Sequence, residues 1–160
     1  MPLIKKKYME AAIDAAKAGI RAGDGGPFGC CIIDETGTVL AVAHNEVLKQ
    51  NDATRHAEII CISRASQKRR AWDLSGCILF STTECCPMCY TAAHWARVTA
   101  IVYGTTISDV AQLGFNELPV TNEMLNAYGT HRVRLYKEYW RDECRCLLDE
   151  WKCLAQKQIY

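Results

Sequence analysis

His56-Ala57-Glu58 and, about thirty residues on, Thr83-Glu84-Cys85-Cys86-Pro87-Met88-Cys89 decide how this chain is read. His56, Cys86 and Cys89 are three ligands suited to one zinc ion, and Glu58 is a carboxylate that need not bind it. A structural zinc site is closed by four protein ligands, whereas a catalytic site keeps one position for water. Three ligands and an uncommitted carboxylate therefore read as a zinc-activated water with its own proton carrier. H-x-E followed by P-C-x-x-C is the signature of zinc-dependent deamination of an aminated ring. Here Cys85 stands where a proline usually precedes the first cysteine ligand.

Working outward, Pro87 is placed where proline is favoured, in the first turn of a helix that runs to about Arg97. Asn51-Asp52-Ala53-Thr54 supplies caps for a helix from about His56 to Lys68. Both ligand groups then sit at helix starts, where the partial positive charge favours thiolates. Phe28 to Ile33 and Val39 to His44 read as a hairpin around Asp34-Glu35-Thr36-Gly37, and Cys77 to Ser81 and Thr99 to Tyr103 as strands. Ile4, Tyr8, Ala12, Ala15 and Ala16 mark one face of a helix over 4–21. Val133 to Tyr136 adds a fifth strand, and a last helix spans about Lys137 to Lys157 with Leu147, Leu148, Trp151 and Leu154 on its apolar face. Alternating helices and strands of this kind make an α/β sandwich.

The 160 residues suit one domain with a sizeable core. Half are apolar, and the net charge of +1 argues against a nucleic-acid binder, which carries a clear basic excess. Lys5-Lys6-Lys7 and Lys68-Arg69-Arg70 are the basic runs, and each reads as a solvated helix face. No apolar run approaches a membrane span, and the start lacks a signal peptide's apolar stretch. The ten cysteines then read as free thiols and metal ligands in a cytoplasmic protein. Cys30, Cys31, Cys61, Cys77 and Cys153 are expected as small core residues. The competing structural site would draw on Cys85, Cys86, Cys89 and Cys144 or Cys146, and it leaves His56 and Glu58 without a role.

The chain resembles the cytidine deaminase superfamily, and within it most closely the small bacterial guanine deaminases. Beyond the zinc motif, the resemblance rests on Gly25-Gly26-Pro27-Phe28-Gly29, His44-Asn45, Asn51-Asp52-Ala53-Thr54, Trp95-Ala96-Arg97, Gly114-Phe115-Asn116-Glu117 and the closing run Trp151 to Tyr160. It implies a three-layer sandwich with a five-stranded mixed sheet, a homodimer, and a C-terminal segment (about 137–160) capping its own or its partner's site. It implies one zinc ion per chain on His56, Cys86 and Cys89, with Glu58 as the catalytic residue. It implies a purine pocket with Asn45 on the base's polar edge, Phe28 and Trp95 as lining, and the Ala57 backbone as a further contact. Glu117 would be an acidic pocket residue, standing where the relatives carry Asp, and Tyr160 would close the pocket.

Guanine, isocytosine and ammeline share a 2-amino group between ring nitrogens, so the same contacts serve each. Cytosine and nucleosides remain open, since the zinc machinery attacks either ring. Adenosine in transfer RNA would call for a basic surface that the balanced charge does not advertise. A catalytically silent scaffold held by zinc is the non-enzymatic alternative.

Overall fold

The structure, a computed structural model, describes residues 3–155 and 157–160; Met1, Pro2 and Gln156, the last within the C-terminal run quoted above, lie outside the described residues. Helix α1 (Lys6–Ala22) turns Tyr8, Met9, Ala12, Ile13, Ala16 and Ile20 inward at helical spacing. It stops at Gly23, whose φ of 73° lets the chain turn left-handed at no steric cost. Strands β1 (Gly29–Ile33) and β2 (Val39–His44) form the expected antiparallel hairpin. Asp34 ties its turn by accepting from the Thr36 and Thr38 amides, both at 2.9 Å. The short helix α2 (Val47–Gln50) leads to α3 (Ala57–Arg69), then β3 (Ile78–Thr83), α4 (Pro87–Trp95) and β4 (Ala100–Thr105). Two further short helices follow, α5 (Ile107–Ala111) and α6 (Asn122–Tyr128), before β5 (Arg134–Tyr136) and α7 (Arg141–Lys152).

The five strands form one sheet in the order β2-β1-β3-β4-β5. β1 runs antiparallel to both its neighbours, and β3, β4 and β5 run parallel, so the sheet is mixed. Both faces are covered. Cys30, Ile32 and Leu79 pack with Ile60, Cys61 and Ala93 of α3 and α4. Cys31, Ile33, Ile78 and Phe80 pack with Tyr8, Met9 and Ile13 of α1 and Cys144 of α7. Side chains alternate across a strand, so consecutive apolar residues serve both layers, and every residue of β1 and β3 is buried. Fully burying one large side chain such as Phe80 stabilises by about 1.5–3 kcal/mol. At Gly29 a Cβ would collide with the Ala12 carbonyl, so α1 can lie close on the sheet only because that position lacks a side chain.

Three differences from the sequence reading stand out. The last helix is shorter than 137–157, because Glu138 and Trp140 take left-handed backbone angles before it begins. Cys153 is exposed rather than in the core. The region around α5 and α6 is ordered by polar caps rather than apolar periodicity. Thr106 and Asp109 form a reciprocal capping box on α5, and Thr121 caps α6 by accepting from the Met124 amide. Among the described residues, no helix is long and apolar enough to cross a membrane.

Candidate active site

Two helix starts meet beside the C-terminal end of β3. His56 is the N-cap of α3 and Cys86 the N-cap of α4, with Pro87 directly behind it. An N-cap side chain folds back toward the third helical residue, and in α4 that residue is Cys89. Cap geometry thus brings the two thiols of C-x-x-C together. The sulfurs of Cys86 and Cys89 each lie 3.6 Å from His56 Nδ1. A tetrahedral zinc ion, with Zn–S near 2.3 Å and Zn–N near 2.0–2.1 Å, spreads such donors about 3.6 Å apart. Among the described residues, these three form the group of His, Cys or acidic side chains placed to hold a metal. The donor set and its spacing fit zinc. Cys85 faces the core, Cys144 packs on the opposite face of the sheet and Cys146 is exposed, so a four-sulfur site is not assembled.

Glu58, second residue of α3, is 5% exposed. One carboxylate oxygen accepts a 2.7 Å hydrogen bond from Ser81, and the other lies 3.5 Å from the Cys89 sulfur, on the metal side. Burial raises the pKa of Glu58 above the usual carboxylate range; the nearby His56 works the other way and Cys86 adds to the rise. The Cys86 thiol is pulled down to about 4, first by the hydrogen bond from Cys89 and, against burial, by His56. That bond pushes Cys89 up, and burial adds to it, so without metal the two sulfurs share one proton. Burial alone would lower the pKa of His56, but the Cys86 hydrogen bond and the Glu58 charge give it a net rise.

The cleft above these groups has two connected parts. A narrow space of about 20 Å³ touches His56, Glu58 and Cys86, and a wider one of about 250 Å³ continues past Phe28, Phe115 and Tyr160. Glu117 borders both, and burial raises its pKa, helped by Cys86. A larger cavity of about 810 Å³ lies behind the wall of Glu84, Ile107 and Glu117 and does not reach the metal ligands. The Phe28 ring meets Phe115 edge-on at 5.2 Å, and Phe115 meets Tyr160 at 5.6 Å. Tyr160 donates to Asn45 Oδ1 at 2.6 Å and accepts from the Gly26 amide at 3.0 Å. Burial pushes the Tyr160 phenol up to about 12, so it is protonated and can donate. Asn45 Oδ1 also accepts from the Val47 amide, while its buried Nδ2 has no protein partner. A Cβ at Gly25 would strike that Oδ1, so the approach of the 25–28 loop to Asn45 depends on glycine.

The structure therefore brings His56, Glu58, Cys86, Cys89, Phe28, Glu117 and Tyr160 to one cleft, with Asn45 behind Tyr160 and Ala57 buried between His56 and Glu58. Trp95 stands apart in this chain. It ends α4, eight residues and about 12 Å of helix rise beyond Pro87, is 74% exposed, and lines neither part of the cleft. Two residues that the sequence reading passed over belong to the architecture of the site. Ser81 holds Glu58, and the buried Glu84 accepts from the Ile107 and Asn122 amides, joining the starts of α5 and α6 to the metal loop. Ser81, followed by Thr82 and Thr83 at the end of its strand, carried no distinguishing signal, and for Glu84 the signal was only adjacency to the cysteines.

A three-ligand site fit for zinc, with a carboxylate beside it on this sheet, suits a hydrolytic deaminase, and comparison with known proteins agrees. Residues 3–105 match the cytidine and deoxycytidylate deaminase zinc-binding region, and the chain belongs to that family. It is 38% identical to guanine deaminase of Bacillus subtilis over 96% of this chain and 97% of that protein. It is 35% identical to a probable cytosine deaminase of Schizosaccharomyces pombe over 88% of this chain and 89% of that one. A solved structure of guanine deaminase from Nitrosomonas europaea superposes with a TM-score of 0.83 at 28% identity, covering 92% of this chain and 84% of that one.

Proposed function

We propose that this chain hydrolyses guanine to xanthine and ammonia, working as a single domain over residues 1–160. The observation that carries the reading is the pairing of the His56–Cys86–Cys89 triad with a buried Glu58 that keeps one oxygen on the metal side. Zinc, when bound by the triad, supplies the Lewis acidity that makes water a nucleophile at neutral pH. Glu58 accepts a proton from the attacking water and returns it to the ring nitrogen beside the amino-bearing carbon. Glu58 then carries the second water proton, from the hydroxyl now on that carbon, to the amino group, which leaves as ammonia as the carbon–nitrogen bond breaks and the carbonyl forms. Phe28, Phe115 and Tyr160 enclose the flat ring, and Glu117 faces the leaving nitrogen. The Ala57 backbone contributes a further polar contact.

The choice of base is supported by the relatives above and by Asn45. A buried donor without a partner costs about 1–3 kcal/mol. Asn45 Oδ1 is already committed to Val47 and Tyr160, so Nδ2 is left to meet an acceptor. Guanine offers O6 and N7 on one edge, whereas adenine places its own amino donor there. In this reading the C-terminal segment caps the site of its own chain, since Tyr160 already reaches Asn45 within one chain.

The working form is proposed to be a cytoplasmic homodimer. All ten cysteines are free, as suits a reducing compartment. Met88 and Trp95, seven apart on α4, and Met124 and Tyr128, four apart on α6, are exposed on two helices that pack together, and burying such apolar surface is what a subunit interface does.

Ammonia release by the zinc-loaded protein should be measured across guanine, cytosine, isocytosine, adenine and their nucleosides. Guanine is expected to give the highest kcat/KM and adenine none. Faster turnover of cytosine would overturn the choice of base, and no ammonia from any of them would overturn the enzyme assignment.

A further inference from the structure

Ser81 lies on the α3 and α4 face of the sheet, the face that carries the metal ligands, and its hydroxyl bonds to Glu58 without lining the cleft. Its place follows from the strand. Side chains of β3 alternate, with Ile78 and Phe80 on the α1 and α7 side and Leu79 on the α3 and α4 side. Ser81, two residues after Leu79, therefore faces α3. There it is fully buried and meets Glu58 at 2.7 Å. The Thr83 amide donates to Ser81 Oγ at 3.4 Å. With its lone pair engaged from behind, the hydroxyl proton is aimed forward at the carboxylate.

We infer that Ser81 is a positioning residue for the deamination step: it clamps one oxygen of Glu58 so that the other is held toward the metal for proton transfer. The carboxylate has two oxygens and two demands on it. One oxygen must be fixed to set the rotamer, and one must stay free to take and give the proton. The 2.7 Å bond from Ser81 occupies Oε1, and Oε2 is on the metal side, where it accepts from the Cys89 thiol at 3.5 Å, a bond given up when that thiol loses its proton to bind a metal. Glu58 sits in the first turn of α3, so its backbone is already rigid and its side-chain torsions are what Ser81 controls. A misplacement of about 1 Å at such a group costs up to about 100-fold in rate.

This inference rests on Glu58 as the proton carrier, and the test separates the two. Four variants are compared with the parent by steady-state kinetics on the base that gives the most ammonia, with zinc content measured for each. Ser81→Thr keeps the hydroxyl, Ser81→Val has the same size without it, Ser81→Ala removes it without added bulk, and Glu58→Gln removes the proton carrier. The expected pattern is a kcat about 10- to 100-fold lower for Ser81→Ala and Ser81→Val, with KM and zinc content at parental values. Ser81→Thr should restore kcat to within about 3-fold of the parent, a recovery that a role in packing alone would not produce, since Val fills the same space. Parental kcat in Ser81→Ala with an inactive Glu58→Gln would overturn the role of Ser81 alone. Parental kcat in Glu58→Gln would overturn the reading of Glu58 itself. If Ser81→Ala folds poorly, the Thr and Val pair decides the matter: equal rates in the two remove the hydroxyl from the mechanism.

Discussion

Cys85 and Cys86 are adjacent in the chain and face opposite ways. Cys86 caps α4 at the metal, whereas Cys85 is buried among core residues and offers its carbonyl to the Asn122 side chain. Cys85→Ala is therefore expected to keep one zinc per chain by elemental analysis while losing about 1 kcal/mol of stability to the small void; loss of the metal would show that the ligand is the other cysteine of the pair. Cys86 carries a second expectation. A thiol held at about 4 is thiolate at pH 6, where an ordinary thiol is not. After chelation of the metal, brief alkylation at pH 6 followed by peptide mapping should find Cys86 modified ahead of Cys146 and Cys153, although those two are more exposed. Preferential labelling of the exposed pair would mean that Cys89 and His56 do not activate Cys86. At this scale much of the site was legible, because metal chemistry dictates both residue type and spacing. Trp95 lies apart from the cleft of its own chain because two turns of helix separate it from the ligands, and Ser81 was missed because a serine in a strand carries no spacing signal.

The elements around the cleft are fixed by different forces. β1 and β3 announce themselves by continuous apolar runs and α1 by its stripe, so their positions were foreseen to within a few residues. α2, α5 and α6 span four, five and seven residues; two turns or fewer give periodicity nothing to repeat, and their order comes from caps. In α5, Asp109 accepts from the Thr106 amide and hydroxyl and also from Arg141 of α7 at 2.8 Å. Thr106→Ala should cost about 1 kcal/mol, read in calorimetry as a melting temperature lower by about 2–4 °C; an unchanged midpoint would mean that the Arg141 tie alone suffices. The tail makes a contrasting case. Leu147, Leu148 and Trp151 dock α7 as their spacing foretold, and that docking delivers Tyr160 to Asn45. Deleting residues 157–160 should leave zinc content unchanged and lower kcat/KM by about 10-fold or more, the loss expected when one pocket contact worth about 1.4 kcal/mol disappears. Parental kinetics in the shortened protein would make the tail purely structural.

For the molecule as a whole, several carboxylates have been committed to the folded state. Burial pushes Asp24 up, yet hydrogen bonds from His44 and Lys49 hold it below its usual value; Asp109 stands in the same balance with Arg141. A folded pKa below the unfolded value of about 3.9 gives stability that is complete above about pH 4 and is lost as the pH falls through the lower folded value. Urea midpoints measured from pH 5 down to pH 3 should therefore fall more steeply for the parent than for Asp24→Asn, zinc release being common to both. Parallel curves would remove Asp24 from the acid response.

The central strand β3 carries Ser81 and runs into the metal loop, while the opposite wall of the cleft hangs from α7 and ends at Tyr160. Amide exchange should split the site along that line, with β3 opening only when the whole protein unfolds and the 157–160 segment opening locally. In the proposed reading, reactivity is built into the most protected part of the sheet and pocket closure into its least protected margin. A lineage can accumulate substitutions along that margin and take up a new base with little loss of stability, because the groups that break the carbon–nitrogen bond stay where they are.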